Sequence, residues 1–121
     1  MRLAESERKV MEVLWAHGEL TAKETARLLN ESCGWQKTTT YTMLTRCEQK
    51  KYLKRTNPRF VCTPLITKEQ VSHWETDELL KADFNDSADL LVASLISRKK
   101  LNGEQIKKLQ NLLRELEAAE G

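Results

Sequence analysis

Apolar residues recur along most of the chain at intervals of three and four, the period of helices that bury one face. Over residues 2–17, Val10, Val13 and Leu14, with Met11 beside them, form one stripe, and Glu5, Glu7, Arg8, Lys9 and Glu12 fall on the outward side. Gly18 ends this helix. At its start, Ala4 stands where a capping box with Glu7 would form, although Ser6 is the better donor. Glu19-Leu20 is short and extended. The Thr21-x-x-Glu24 capping box then opens a second helix to about Ser32, with Ala22, Thr25, Ala26, Leu28 and Leu29 inward and Cys33-Gly34 as its stop. A third helix, Lys37 to about Lys51, places Thr40, Met43, Leu44 and Cys47 on its stripe.

After Lys51 the pattern shortens. Tyr52–Thr56 and Arg59–Thr63 are β-prone runs, and Asn57-Pro58 between them signals a turn, so a hairpin with a basic tip is expected. Thr67 and Gln70 open a fourth helix, Lys68 to about Ala82, whose apolar positions Val71, Trp74, Leu79 and Leu80 are sparse. Its Glu75, Asp77 and Glu78 read as a solvated face. Asn85-Asp86-Ser87 breaks it. The fifth helix, Ser87–Ser97, is compact and apolar at Leu90, Leu91, Val92, Leu95 and Ile96, and closes on Arg98-Lys99-Lys100, cations favoured at a helix C-terminus. The sixth, Glu104 to about Ala119, repeats Ile106, Leu109, Leu113 and Leu116 as a seam with Leu112 beside it. Two such short apolar helices leave faces that they cannot bury on each other. A symmetric partner chain would cover them, and the alternative is packing back onto the N-terminal part, from which the acidic fourth helix would hold them apart.

The pattern as a whole predicts a mainly α protein. Residues 1–66 read as a winged helix-turn-helix of three helices plus a small β-hairpin wing, and residues 67–121 as a three-helix dimerisation domain.

Composition narrows the class. A chain of 121 residues, 40% apolar and 31% charged, makes one or two small domains. No apolar run approaches the ~20 residues that span a bilayer, and no signal peptide opens the chain, so no membrane partner is expected. Cys33, Cys47 and Cys62, odd in number and scattered, argue against a disulfide framework and for a reducing cytoplasm.

Charge changes the picture more. The net +2 hides a basic centre: Lys37–Arg59 holds seven Lys/Arg and one acid, a local +6, between flanks of −1 and −3. The outward face of the third helix carries Thr38, Thr39, Tyr41, Thr42, Thr45, Arg46 and Gln49. Thr and Tyr are poor helix formers, so helix stability does not explain them. Short hydroxyls and an Arg suit base edges and phosphates in a major groove. Lys37, Lys50, Lys54, Arg55 and Arg59 would neutralise phosphate. The competing reading is a winged helix without DNA, its basic face turned to an acidic protein.

Catalysis finds no constellation: there is no Gly-rich phosphate loop, no nucleophile elbow and no H-E-x-x-H. His17 and His73 are far apart, no C-x-x-C occurs, and the cysteine spacing matches no zinc module. Each cysteine reads as a buried or half-buried thiol, and Trp15, Trp35 and Trp74 as packing residues. No enzyme activity, metal or cofactor is expected.

The strings LAESERKVMEVLW, TAKETARLL and WQKTTTYTMLTRCEQKKYL resemble the penicillinase and methicillinase repressors and their copper-responsive relatives, the BlaI/MecI/CopY group. V-M-x-x-L-W at Val10–Trp15, T-x-x-T-x-L-x-R at Thr39–Arg46 and K-K-x-L at Lys50–Leu53 match without gaps, and the resemblance covers nearly the whole chain. It implies a homodimeric bacterial repressor that binds double-stranded DNA at palindromic operators with TACA/TGTA-like half-sites. Thr39, Thr42 and Arg46 then take the recognition-helix contacts, with Thr38, Tyr41 and Thr45 beside them, and Arg55, Asn57 and Arg59 match the wing. Leu90, Leu91, Leu95, Ile96, Ile106, Leu109, Leu112, Leu113 and Leu116 fall in the dimerisation part. The β-lactam repressors are cleaved at an Asn-Phe bond in the fifth helix, through a sensor-linked protease; the aligned pair here is Ser94-Leu95. The copper relatives carry a C-x-C…C-x-C tail, and residues 113–121 hold no cysteine, so copper sensing by that tail is not expected.

Overall fold

Capping chemistry sets the ends of the first helices. In the computed structural model, which describes residues 2–120, α1 spans Glu5–His17 and α2 Ala22–Cys33. The backbone N–H of Ala4 donates to Glu7 Oε1 at 2.8 Å, so the N-cap is Ala4 and not Ser6. At α2 the box is complete: Glu24 N–H donates to Thr21 Oγ1 (3.1 Å) and Thr21 N–H to Glu24 Oε1 (3.0 Å). Gly34 takes the left-handed conformation that ends α2, with φ of 70°. α3 follows at Lys37–Gln49, then β2 (Leu53–Thr56), β3 (Val61–Pro64), α4 (Lys68–Asp83), α5 (Ala88–Ser97) and α6 (Gly103–Glu120).

A short strand, β1 (Leu20–Thr21), completes a three-stranded antiparallel sheet in the order β1-β3-β2. Leu20 lies opposite Cys62 and Thr21 opposite Val61, while Arg55 faces Cys62 from the other side. The hairpin was legible in the sequence and Glu19-Leu20 read as extended, but the pairing of β1 with β3 was not legible: two residues are too short to show alternation.

Val10, Met11 and Leu14 of α1, Ala22 and Leu29 of α2, and Leu44 and Cys47 of α3 form the core with Tyr52, Leu53 and Cys62. Trp15 and Trp35 pack against it, and Trp15 Nε1 donates to the Ile66 carbonyl at 2.9 Å. Three expectations change. Glu7, read as outward, is fully buried. Val13 and Leu28 are only half-buried. Cys33 is exposed, because it sits at the solvent-facing end of α2, while Cys47 and Cys62 are buried.

Contacts divide the chain into a unit up to Thr76 and a unit from Asp77 onward, a boundary within α4 rather than at 66/67. The first turns of α4 belong to the winged-helix unit because Val71 is buried there, Lys68 pairs with Glu12 (3.2 Å), and Arg8 pairs with Glu75. Glu75 is therefore an ion-pair partner and not merely part of a solvated face. In the second unit, α6 is capped by Asn102: Gln105 N–H donates to Asn102 Oδ1 (2.8 Å) and Asn102 N–H to Gln105 Oε1 (3.0 Å). No residue of α5 or α6 is fully buried. Among the described residues no helix is long and apolar enough to cross a membrane.

Candidate nucleic-acid interface

The buried stripe of α3, Thr40, Leu44 and Cys47, fixes which way its other side faces. Lys37, Thr38, Thr39, Thr42 and Arg46 are exposed on that side. No carboxylate pairs with Lys37 or Arg46 among the described residues. The first turn of α3 contains no acid, and its N-cap Gln36 makes no side-chain cap, so the positive end of the helix dipole is left for an anion. Lys37 Nζ lies 5.5 Å from the centre of the Tyr41 ring, which leaves Tyr41 half-buried beneath a cation.

Hydroxyl geometry separates the threonines. Thr42 Oγ1 donates to the Thr38 carbonyl at 2.9 Å and Thr45 Oγ1 to the Tyr41 carbonyl at 3.0 Å. Thr42 thus keeps its lone pairs and methyl group facing outward. Thr45 does not, because Arg55 Nη2 donates to it at 3.1 Å.

Arg55 is the main surprise of the wing. Sequence charge assigned it to phosphate. It instead reaches from β2 to α3, where Nη2 and Nε donate to Glu48 Oε1 at 2.8 and 3.2 Å. This charge-assisted pair, in which one carboxylate oxygen accepts both N–H groups, fastens the wing to α3 together with Thr45. Glu48 is held below the usual carboxylate range, first by the hydrogen bond from Arg55. Lys50 is likewise engaged, 2.6 Å from the buried Glu7. Lys54, Asn57 and Arg59 remain exposed on the hairpin, with the turn at Asn57-Pro58.

Two basic residues escaped the sequence reading. Lys23 and Arg27 of α2 line a groove of about 430 Å3 together with Glu24, Asn30 and Lys37; Arg27 pairs with Glu31 at 3.2 Å, so Lys23 is the cation that extends the basic surface of α3 onto α2. Their i, i+4 spacing was the available signal, masked by the acids Glu24 and Glu31 around them.

The buried thiols take no part in this surface. Cys47 is pushed up to about 12 by burial and then by the Glu7 charge, and Cys62 up to about 11 by burial. Among the described residues no group of three His, Cys, Asp or Glu is placed to hold a metal ion.

In the second unit, Leu90, Ile96, Ile106, Leu112, Leu113 and Leu116 are exposed, each by more than two-fifths of its surface. Leu91, Leu95 and Leu109 are half-buried, Leu95 and Leu109 lining a groove of about 320 Å3 between α5 and α6. Ser94 and Leu95 are half-buried in the middle of α5.

A trihelical core, a hairpin wing and a hydroxyl-bearing third helix with no acid in its first turn define a winged-helix DNA-binding transcriptional repressor. The match to the penicillinase repressor family runs over residues 3–115, and the chain belongs to that family. Two solved structures are similar to its first unit. The DNA-binding domain of the repressor BlaI is 30% identical with a TM-score of 0.52, over 55% of this chain and 84% of that one. The monomeric form of Bacillus licheniformis BlaI, in complex with the blaP half-operator, is 30% identical with a TM-score of 0.50, over 57% and 87%. Nothing among curated proteins matches the chain.

Proposed function

We propose that this protein is a homodimeric repressor that binds an inverted-repeat operator and controls genes of a β-lactam response. The observation that carries the proposal is the face of α3. Thr38, Thr39, Thr42 and Arg46 are exposed, no carboxylate among the described residues pairs with Arg46, and Lys37 and the groove residue Lys23 lie alongside. Arg46 is the candidate for a bidentate contact to guanine. Thr42 offers an acceptor and a methyl group, a match for an exocyclic amine or a thymine methyl. Lys37, Lys54 and Arg59, with Lys23, face phosphate. Arg55 and Thr45 act on each other, holding the wing in register with α3.

Dimerisation rests on the second unit. Its exposed Ile106, Leu112, Leu113 and Leu116 form a continuous apolar side of α6. A second copy would cover it and bring two recognition helices to one duplex. The β-lactam link rests on the family and on the likeness to BlaI, solved on the blaP half-operator. If a sensor-linked protease releases the repressor at Ser94-Leu95, α5 must unwind first, since both residues are half-buried within a helix.

Fluorescence anisotropy with an inverted-repeat duplex carrying TACA/TGTA half-sites and a scrambled duplex, at several salt concentrations, tests the reading. Tighter binding to the inverted repeat is expected. Equal affinity for both duplexes would favour a non-specific or protein-binding role.

A further inference from the structure

Lys50 stands in the middle of the basic stretch with half of its side chain exposed, yet its ammonium lies against a buried carboxylate. It is the C-cap residue of α3, and its Nζ lies 2.6 Å from Glu7 Oε2. Glu7 is buried completely, in the first turn of α1. Its Oε1 accepts the Ala4 N–H at 2.8 Å. Its Oε2 has no hydrogen-bond partner besides the Lys50 contact among the described residues. A buried carboxylate without a counter-charge is strongly unfavourable, by more than the release of one counterion at a single phosphate contact returns. Exchange of Lys50 from Glu7 to the duplex is therefore opposed.

We infer that Glu7 is a positioning residue for DNA recognition: it docks the C-terminal end of α3 on α1 and withholds Lys50 from the phosphate backbone. The inference rests on the DNA-binding reading above. Arg46, one turn before Lys50, is thereby set on a helix whose end is anchored in the core, and Cys47 beside it is buried. Burial by itself pushes the Glu7 carboxyl up. The hydrogen bond from Lys50, that from Ala4, and the fields of Lys50 and Arg46 together outweigh burial and leave the carboxyl below its usual value.

The salt dependence of operator affinity tests this. Each lysine that neutralises a phosphate contributes about 0.9 to the slope of log affinity against log salt. Lys54→Ala should flatten the slope by about that amount, Lys50→Met should leave it unchanged, and Glu7→Gln, which frees the Lys50 ammonium, should steepen it by about 0.9. A Lys50→Met slope as flat as that of Lys54→Ala overturns the inference. So does a Glu7→Gln protein that binds all duplexes more weakly with the slope unaltered, the mark of a purely structural role. A second measurement needs no variant: the Glu7 carboxyl carbon is titrated by NMR, free and with the inverted-repeat duplex. A midpoint below the usual carboxylate range in both states is expected. A midpoint within that range, or one that rises when DNA is added, overturns the inference. If the wild type binds no duplex, the DNA reading fails, and the titration of the free protein still decides the pair.

Discussion

Arg46 and Lys50 are one helical turn apart and carry the same charge, but their surroundings differ. Arg46 is exposed with no carboxylate paired to it among the described residues, and Lys50 is held by a buried one. Truncation of Arg46 to Ala should cost about 1–3 kcal/mol of operator binding and relax specificity at one base position; affinities for single-base operator variants check this. The pH dependence of Glu7 has a definite sign. A carboxyl held below its ordinary value near 4.5 contributes stability that is present above that value and is lost as pH falls through its depressed midpoint. Urea midpoints of wild type and Glu7→Gln should therefore differ most at neutral pH and converge as pH drops below about 4.5. Thiol reactivity separates the cysteines in the same way. In the folded protein at neutral pH a mild alkylating agent should label Cys33 alone, and in urea all three, counted by mass spectrometry. Composition gave no warning of Glu7. An acid on an amphipathic helix is read as outward, and only the approach of α3 to α1 shows why this one is inside.

At the scale of elements, local chemistry explains most boundaries. The Thr21–Glu24 box and the Gly34 stop are short-range signals that mark element ends where the sequence placed them, and the Asn57-Pro58 turn ends β2 at Thr56 but runs on to Phe60, so β3 starts at Val61 and not at Arg59. What resisted reading is long-range. The strand β1 exists because β3 is there to pair with it. Arg55 turns to α3 because Glu48 and Thr45 meet it across the hairpin. No periodicity encodes either fact, and net charge by itself assigned Arg55 outward. Packing holds the recognition helix: Leu44 is fully buried between α3 and the rest of the core. Replacing it with Ala should destabilise the winged-helix unit by about 2–5 kcal/mol, through lost burial and the cavity left behind; denaturant unfolding measures this. Loss of the α2 cap in Thr21→Ala should cost about 1 kcal/mol by the same measurement.

For the whole molecule, the division of labour is between a unit with a closed core and a unit whose two terminal helices have none of their own. The apolar seam of α6 was legible from its spacing, and the structure leaves Leu112, Leu113 and Leu116 at least half exposed. Substitution of Leu113 by Glu places a charge in the middle of that side. It should shift the protein towards a single subunit in sedimentation velocity and weaken binding to a full inverted repeat far more than to one half-site, because the two sites are then no longer linked. The measurement that tests the central claim most directly is a sedimentation titration of the wild type against two labelled duplexes, one with an intact inverted repeat and one with a half-site scrambled. The account predicts two chains arriving together on the intact duplex and markedly weaker binding to the other. One chain per duplex, with the same affinity for both, would contradict it.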